Sequence, residues 1–293
     1  MLPKRIAMHY DIQAAVNAAL REDVEDFTGR IPTGDHSALA CFSRYAEAKA
    51  RLLCKAEGII AGVELAEIIC RQVDPALSIQ KKMNDGDAMH PGDVAFTLQG
   101  DAKSILRAER VILNYMQRMS AIATLTRRYV DAVAGTGARI LDTRKTTPGF
   151  RYFEKWAVRI GGGFNHRMGL YDMIMLKDNH IDFCGGIEKA ILAVEQYQLR
   201  MGLQLPVEVE TRNLHEVEQV LRTGKVTRIM FDNFDPHTMK QAVAMVAGRF
   251  ETEASGGINL HNVRSYAETG VDFISVGALT HSAGSLDMSL KAF

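Results

Sequence analysis

Polar side chains follow several short apolar runs in the second half of the sequence. The runs end at Asp142-Thr143-Arg144-Lys145, at Lys177, at Glu210 and at Asp232. In barrels built from βα units the chemistry is carried at the C-terminal ends of the strands, so these residues are candidates for catalysis and binding. A single residue at a strand end is often polar only because it is exposed to solvent. Polar residues at so many strand ends together indicate a binding or catalytic site.

Five of the candidates are cationic or carry an imidazole: Arg144, Lys145, His166, Arg167 and Lys177. Arginine grips carboxylate or phosphate through two parallel hydrogen bonds. The chain has 35 Lys and Arg against 35 Asp and Glu, so its net charge of zero does not favour nucleic acid or an acidic membrane surface. The cationic set therefore predicts a local site for a multiply charged anion.

Two carboxylates, Glu210 and Asp232, follow neighbouring strands and are expected at the same end of the barrel. Mg²⁺ commonly takes one or two protein carboxylates and leaves its other positions to water and phosphates. The pattern predicts a magnesium site at Glu210 and Asp232, directly or through water. The alternative is that they pair with Arg144 or Lys177 in a structural ion network.

The last two strands end in small residues, at Ser255-Gly256-Gly257 and at Gly277-Ala278. Each is followed by a helical stretch. Exposed backbone amides with a helix N-terminus behind them favour phosphate, and barrels often place such a site after their late strands.

Alternating short strands and amphipathic helices position these residues. The predicted strands are Ala138–Leu141, Met173–Leu176, Val207–Val209, Arg228–Phe231, Phe250–Glu253 and Phe273–Val276. The predicted helices include Ile187–Leu199, Asn213–Arg222, Pro236–Ala247 and Leu260–Glu268. Neither a Rossmann glycine fingerprint nor a P-loop is present, so a complete or incomplete (β/α) barrel is favoured over a doubly wound sheet.

The first half has an α+β pattern. Helices are predicted at Asp11–Arg21 and Val63–Gln72, and strands at Ala50–Lys55, Leu77–Met83 and Asp93–Leu98. The charged stretch Glu22–Asp35 is predicted to be a loop. A helical run from Ala102 to Ala134, as one helix or two, links the halves. The length of 293 residues with 47% hydrophobic content predicts two domains.

Three further patterns have a structural interpretation. The four cysteines, Cys41, Cys54, Cys70 and Cys184, are unevenly spaced, which predicts buried thiols. The helical spacing of Arg151, Lys155 and Arg159 predicts a solvated or interface face. Met1–Tyr10 has a basic pair without an apolar segment of signal-peptide length, so a cytoplasmic location is expected.

The longest recognisable string, Ile140–Ile181, resembles the signature block of the quinolinate phosphoribosyltransferases, the nicotinate-nucleotide pyrophosphorylases. Shorter strings match the same family: Ala108–Arg110, Val207–Glu210, Phe231–Phe234, Glu253–Ile258 and Tyr266–Ser282. The resemblance covers nearly the whole chain. One departure is the longer insert between Glu22-Asp23 and Gly34-Asp35, which leaves the conformation of that loop open.

The resemblance implies an N-terminal α+β sandwich, residues 1–115, and an incomplete parallel α/β barrel, residues 116–293. The C-terminal tail is an optional part of the first domain. It implies a homodimer, or a larger assembly of dimers, with shared active sites. The implied reaction joins quinolinate to 5-phosphoribosyl 1-diphosphate with Mg²⁺ and gives nicotinate mononucleotide, pyrophosphate and carbon dioxide in NAD biosynthesis.

The resemblance also assigns roles residue by residue. The quinolinate carboxylates would be held by Arg110, Arg144, His166, Arg167 and Lys177, with Thr143 and Lys145 nearby. Glu210 and Asp232 would handle the ribose hydroxyls and the metal-bound pyrophosphate. The 5-phosphate would lie on the backbone at Ser255, Gly256, Gly257, Gly277 and Ala278. Lys145 or Lys177 would return a proton after decarboxylation. Arg110, on the long helix, would act from the neighbouring subunit.

Three other functions remain open at this point. A Schiff-base lyase would use Lys177 as its nucleophile. A related pyrophosphorylase of the molybdenum-uptake type shares the barrel, although Arg110, Arg144 and Arg167 together favour a dicarboxylate. A binding module without catalysis gives no reason for the pair Glu210 and Asp232.

Overall fold

The computed structural model describes residues 10–293. Residues 1–9 lie outside the described residues, so the prediction that Met1–Tyr10 is not a signal peptide stays a prediction. Two compact units are present. The first contains residues up to Thr124 with Tyr152–Ile160 and Ala283–Phe293, and the second contains Leu125–Arg151 and Gly161–Ser282. No helix within residues 10–293 has the length and apolar character needed to cross a bilayer.

The first half of the chain forms short strands and helices of mixed order. They are α1 Ile12–Val24, α2 His36–Cys41, β1 Glu47–Cys54, β2 Gly58–Ile59, α3 Val63–Val73, β3 Ser78–Lys81, β4 Ala88–Met89, β5 Val94–Asp101 and α4 Ala102–Ala132.

The second half alternates strands and helices. They are β6 Arg139–Leu141, α5 Arg151–Ile160, β7 Ile174–Leu176, α6 Asp178–Cys184, α7 Ile187–Met201, β8 Val207–Thr211, α8 Leu214–Thr223, β9 Arg228–Asp232, α9 Pro236–Val246, β10 Glu251–Ser255, α10 Val263–Ala267, β11 Phe273–Ser275, α11 Ala278–His281 and β12 Met288–Ala292.

The first unit is built on a four-stranded antiparallel sheet in the order β12-β1-β5-β3. The C-terminal strand β12 lies at one edge, where Leu52 pairs with Leu290. Alternate residues of β1, among them Leu52 and Cys54, are buried, as expected for a sheet with one covered face. The predicted α+β organisation of this half is confirmed.

The long run after β5 is one continuous helix, α4. Its buried side chains recur with helical spacing, and they include Ile105, Ile112, Met116 and Met119. No glycine or proline interrupts it, so nothing divides it into two. The boundary between the two units falls within this helix, after Thr124.

The insert that departs from the family pattern contains a turn organised by Asp26. Its carboxylate accepts hydrogen bonds from the backbone N–H groups of Thr28, Arg30 and Ile31 at 2.9 to 3.0 Å. The short helix α2 follows, capped by Asp35, whose side chain accepts from the N–H of Ala38. Sequence periodicity did not predict this helix, because six residues are too few to show a period.

The second unit is built on six parallel strands in the order β6-β11-β10-β9-β8-β7. The edge strands β6 and β7 are not paired with each other among the described residues, so the barrel is incomplete as predicted. All six predicted strands are present within two residues of their expected ends. Since every strand runs the same way, their carboxyl ends meet at one edge.

Two local predictions are wrong in part. Cys54 and Cys70 are buried, and burial raises their thiol pKa to about 11 and about 12, but Cys41 and Cys184 are exposed. Lys155 does not belong to a solvated helix face, because only 1% of it is exposed. Spacing along a helix shows which residues share a face, but it does not show what covers that face.

Candidate active site

A cleft of about 580 Å³ opens at the carboxyl ends of the barrel strands. Most of the predicted site residues line it: Thr143, Arg144, Lys145, His166, Arg167, Lys177, Glu210, Asp232, Ser255, Gly256 and Gly257. They follow β6, β7 and β10, lie at the C-terminal ends of β8, β9 and β10, or come from the loop before β7. The rule that residues after each strand carry the site therefore brings this set together.

Three predicted residues do not line the cleft. Gly277 and Ala278 stand at the start of α11, beside one of its walls. The hydroxyl of Thr280 donates to the carbonyl of Lys145 at 2.8 Å, and a Cβ on Gly277 would lie 3.3 Å from Lys145 Cδ. Arg110 lies on α4 in the first unit with an exposed side chain.

Two arginines make one end of the cleft strongly cationic. The Nε atom of Arg144 is buried and has no hydrogen-bond partner among the described residues. Burial and the neighbouring Arg144 lower the pKa of Arg167, whose guanidinium also donates to the carbonyl of Met173 at 3.2 Å. Two adjacent guanidinium groups repel each other, so an anion bound between them is favoured.

The loop before β7 is held in place by Asp142, the residue after β6. Asp142 is fully buried, and its carboxylate accepts from the backbone N–H of His166 at 2.9 Å and from the amide of Asn165 at 2.5 Å. A third bond joins the N–H of Arg167 to Nδ1 of His166 at 2.7 Å. These bonds fix the backbone that carries His166 and Arg167.

The two predicted metal ligands line the same cleft from neighbouring strands. Nζ of Lys177 lies 3.0 Å from Oε2 of Glu210, so the ion-pair alternative is realised for this pair. The side-chain amide of Asn233 donates to Oδ2 of Asp232 at 2.8 Å. Carboxylate oxygens on adjacent strands are the donors that Mg²⁺ prefers, so the residues present fit that ion.

The turn after β10 depends on a close approach between Asn233 and Gly256. Asn233 has φ of 57° and donates its backbone N–H to the carbonyl of Ser255 at 2.8 Å. Gly256 has φ of +91°, and a Cβ there would overlap Oδ1 of Asn233. The helix predicted at Leu260–Glu268 is present as the shorter α10, which begins at Val263, so its N-terminus is separated from Gly257 by a turn.

Sequence reasoning missed a buried charged cluster beneath His166. Nε2 of His166 lies 3.0 Å from Oε2 of Glu208 and 3.5 Å from Oε2 of Glu253. NH1 of Arg228 donates to Oε2 of Glu253 at 2.7 Å. The sequence does contain one indication of this cluster. Glu208 lies two residues before Glu210, and residues two apart on a strand face the same side of the sheet.

The pKa values within this cluster diverge. Burial and the charge of Glu208 raise the pKa of Glu253 to about 7. Burial also opposes the charged form of Glu208, but the hydrogen bond and charge of His166 outweigh it and lower the pKa of Glu208. Burial disfavours a charged His166, but the charges of Glu253 and Glu208 prevail and raise the pKa of the ring.

The cluster also contains metal-ligating atom types. The donor atoms of His166, Glu208 and Glu253 lie within 4.8 Å of one another. The guanidinium of Arg228 already provides positive charge at Glu253, so we assign no metal ion to this group.

Two domain models of one protein family match most of the chain. The family model for the C-terminal domain of quinolinate phosphoribosyl transferase matches residues 122–291, and the N-terminal domain model matches residues 35–120. A Nicotiana tabacum protein named quinolinate phosphoribosyltransferase [decarboxylating] 1b is 48% identical over 96% of this chain and 82% of its own.

Bacterial relatives give the same result. A probable nicotinate-nucleotide pyrophosphorylase [carboxylating] of Bacillus subtilis is 40% identical over 96% of this chain and 93% of its own. The crystal structure of NadC from Streptococcus pyogenes is 39% identical, with a TM-score of 0.87 over 96% of this chain and 95% of that one.

Proposed function

The chain belongs to the quinolinate phosphoribosyltransferase family, and we propose that it joins quinolinate to 5-phosphoribosyl 1-diphosphate with loss of carbon dioxide. The products are nicotinate mononucleotide, pyrophosphate and carbon dioxide. One observation carries the proposal: the arginine pair Arg144 and Arg167 lies in the same cleft as the carboxylates Glu210 and Asp232. A dianionic acceptor and a ribosyl donor need these two kinds of partner side by side.

Quinolinate, a pyridine with two adjacent carboxylates, binds at the cationic end. Arg144 and Arg167 hold its carboxylates, with His166, Lys145 and Lys177 beside them. Burial and, second, repulsion by Arg144 lower the pKa of Arg167, and a carboxylate between the two guanidinium groups relieves the repulsion. Thr143 borders the same end.

The ribosyl donor binds at the carboxylate end. Glu210 and Asp232 face the ribose hydroxyls, and the backbone at Ser255, Gly256 and Gly257 receives the 5-phosphate, with Gly277 and Ala278 at the adjoining wall. Glu210 and Asp232 also hold Mg²⁺, directly or through water. When bound, Mg²⁺ supplies positive charge against the pyrophosphate leaving group.

The first chemical step exchanges one bond at the anomeric carbon of the ribose. The bond to the pyrophosphate oxygen breaks, and the lone pair of the pyridine nitrogen forms the new bond. Positive charge develops on the ribose meanwhile, and Glu210 and Asp232 stabilise it electrostatically. No covalent bond to the protein is needed.

Decarboxylation follows because the ring nitrogen is now cationic. The bond between C2 of the ring and its carboxylate breaks, carbon dioxide leaves, and the electron pair stays on C2 beside the positive nitrogen. A proton then adds to C2, and the cleft offers Lys145 and Lys177 as donors. Schiff-base chemistry at Lys177 is disfavoured, since it needs a neutral amine and Lys177 forms an ion pair with Glu210.

The proposal includes a homodimer, or a larger assembly of dimers, in which Arg110 of one subunit completes the quinolinate pocket of another. Arg110 has an exposed side chain on α4, so it is available to a second chain. A cytoplasmic location remains a prediction from the sequence.

The direct test is release of carbon dioxide from quinolinate labelled in the 2-carboxylate. Purified protein is mixed with labelled quinolinate and Mg²⁺, with and without 5-phosphoribosyl 1-diphosphate. We expect release only when both substrates are present, with nicotinate mononucleotide formed in equal amount. Folded protein that releases no label with both substrates present would overturn the proposal.

A further inference from the structure

The buried cluster beneath the cleft consists of Glu208, Arg228 and Glu253. Both glutamates are fully buried, and Arg228 is 5% exposed. The three residues come from the adjacent strands β8, β9 and β10, and Arg228 pairs in register with Glu208 on one side and Glu251 on the other. The cluster therefore connects three neighbouring strands at the floor of the cleft, where Glu253 is one of the lining residues.

Such a cluster is a poor way to stabilise a fold. Taking two carboxylates and a guanidinium out of water costs several kcal/mol per ion, and apolar side chains of similar volume are often as stabilising. A role in holding another side chain at a defined position accounts better for these buried charges. Both glutamates of the cluster contact His166. His166 and Glu253 line the cleft.

The imidazole of His166 is held at both nitrogens. Nε2 faces Oε2 of Glu208 at 3.0 Å, while Nδ1 accepts the backbone N–H of Arg167 at 2.7 Å. Fixing the ring therefore also fixes the peptide that carries Arg167. The guanidinium of Arg167 is tethered in turn to the carbonyl of Met173.

We propose that Glu208 and Glu253, balanced by Arg228, are positioning residues that hold His166 and Arg167 in the geometry required to bind a quinolinate carboxylate. Both glutamates are fully buried, and in this proposal they act through the ring of His166. The inference rests on the proposed function, because that function places quinolinate at this end of the cleft.

The chain offers a matched pair of glutamates for the test. Glu251 and Glu253 lie on the same strand, and both pair with Arg228, at 2.9 Å and 2.7 Å. Glu251 is exposed and forms no ion pair with His166 among the described residues, whereas Glu208 and Glu253 both lie against the ring. Glu251→Gln therefore weakens the pairing of Arg228 without changing what holds His166.

The test compares Glu208→Gln with Glu251→Gln and the wild type. Quinolinate affinity is measured by calorimetry, and KM for each substrate by steady-state kinetics. Because a carboxylate accepts a stronger hydrogen bond than an amide, we expect Glu208→Gln to weaken quinolinate binding about tenfold. KM for 5-phosphoribosyl 1-diphosphate should stay within about twofold of wild type, as should both constants of Glu251→Gln.

A second pair covers the case in which Glu208→Gln does not fold. Arg228→Lys keeps a positive charge beside Glu253 and should retain quinolinate affinity, whereas Arg228→Leu leaves two buried carboxylates without it and should lose that affinity. Thermal unfolding identifies the folded variants. A purely structural cluster would lower the melting temperature without a selective change in quinolinate affinity, and that result would overturn the inference. A wild-type protein that does not bind quinolinate would instead overturn the proposed function.

Discussion

Lys177 and Glu210 form an ion pair across the cleft, with Nζ 3.0 Å from Oε2. Lys177 follows β7, and Glu210 lies on the neighbouring strand β8. The proposed function places these two side chains with different substrates, so their charges compensate each other before substrate binds. The lysine side chain is 46% exposed, and a pair of that kind contributes about 1 kcal/mol or less.

Glu210→Gln should impair phosphoribosyl transfer without impairing quinolinate binding. The change removes a charge that stabilises the developing positive ribose, so kcat should fall by about a hundredfold or more. It also releases Lys177, so quinolinate affinity should stay the same or rise by less than about fivefold. Kinetics and calorimetric titration with quinolinate alone measure the two effects. Glu218→Gln, an exposed change on α8, is the control, and abolished quinolinate binding in Glu210→Gln would contradict the role assigned.

Arg144→Lys should be damaging although it keeps the charge. A lysine ammonium cannot reproduce the two parallel hydrogen bonds of a guanidinium to a carboxylate. The expected loss in kcat/KM for quinolinate corresponds to about 2 to 3 kcal/mol. Arg222→Lys, an exposed arginine on α8, serves as the matched control. Near wild-type efficiency in Arg144→Lys would show that Arg144 does not clamp a carboxylate.

Local patterns predicted the parts of this protein that depend on local structure. Most barrel strands are short runs of apolar or β-branched residues between helices, so their existence and the polar residues at or just after their ends can be predicted from the sequence. Glu208 and Glu253 were missed because they lie within strands, where a charged residue is usually taken as solvent-facing. Their burial depends on Arg228 and His166, and such pairing across strands leaves no periodic signal in the chain.

The pairing of edge strand β12 in the first unit also could not be predicted from local sequence patterns. It pairs with β1, whose residues lie more than two hundred positions earlier in the chain. The buried state of Lys155 and the exposure of Cys184 likewise depend on what packs nearby. Residue type and spacing do not contain that information.

Gly256→Ala should destabilise the protein more than Gly257→Ala. Both glycines have positive φ, +91° and +63°, so either alanine should cost about 1 kcal/mol. Only at Gly256 would the new Cβ also overlap Oδ1 of Asn233 and lie 2.9 Å from its backbone nitrogen. Denaturant unfolding measures the difference, and KM for 5-phosphoribosyl 1-diphosphate should rise with it. Equal free energies of unfolding would show that Asn233 moves aside at no cost.

The turn at Asp26 should loosen at low pH. Hydrogen bonds from the backbone and side chain of Thr28, with those from Ile31 and Arg30, lower the pKa of Asp26 to about 2 from 3.8. A lowered pKa stabilises the turn fully above about pH 4, and this is lost as the pH falls towards 2. Amide hydrogen exchange at Arg30 and Ile31 should follow that titration. Asp26→Asn should expose both amides already at pH 5, whereas the control Asp23→Asn should not.

Arg110 provides a test of subunit sharing. Arg110→Ala and Lys177→Ala should each be inactive, since each lacks one part of the proposed quinolinate site. When the two are mixed and their subunits exchange, about half of the dimers contain one of each. In a mixed dimer, one site combines an intact barrel with an intact Arg110 from the other subunit. About a quarter of wild-type activity should therefore return, whereas no recovery after demonstrated exchange would place Arg110 in its own subunit's site or outside any site.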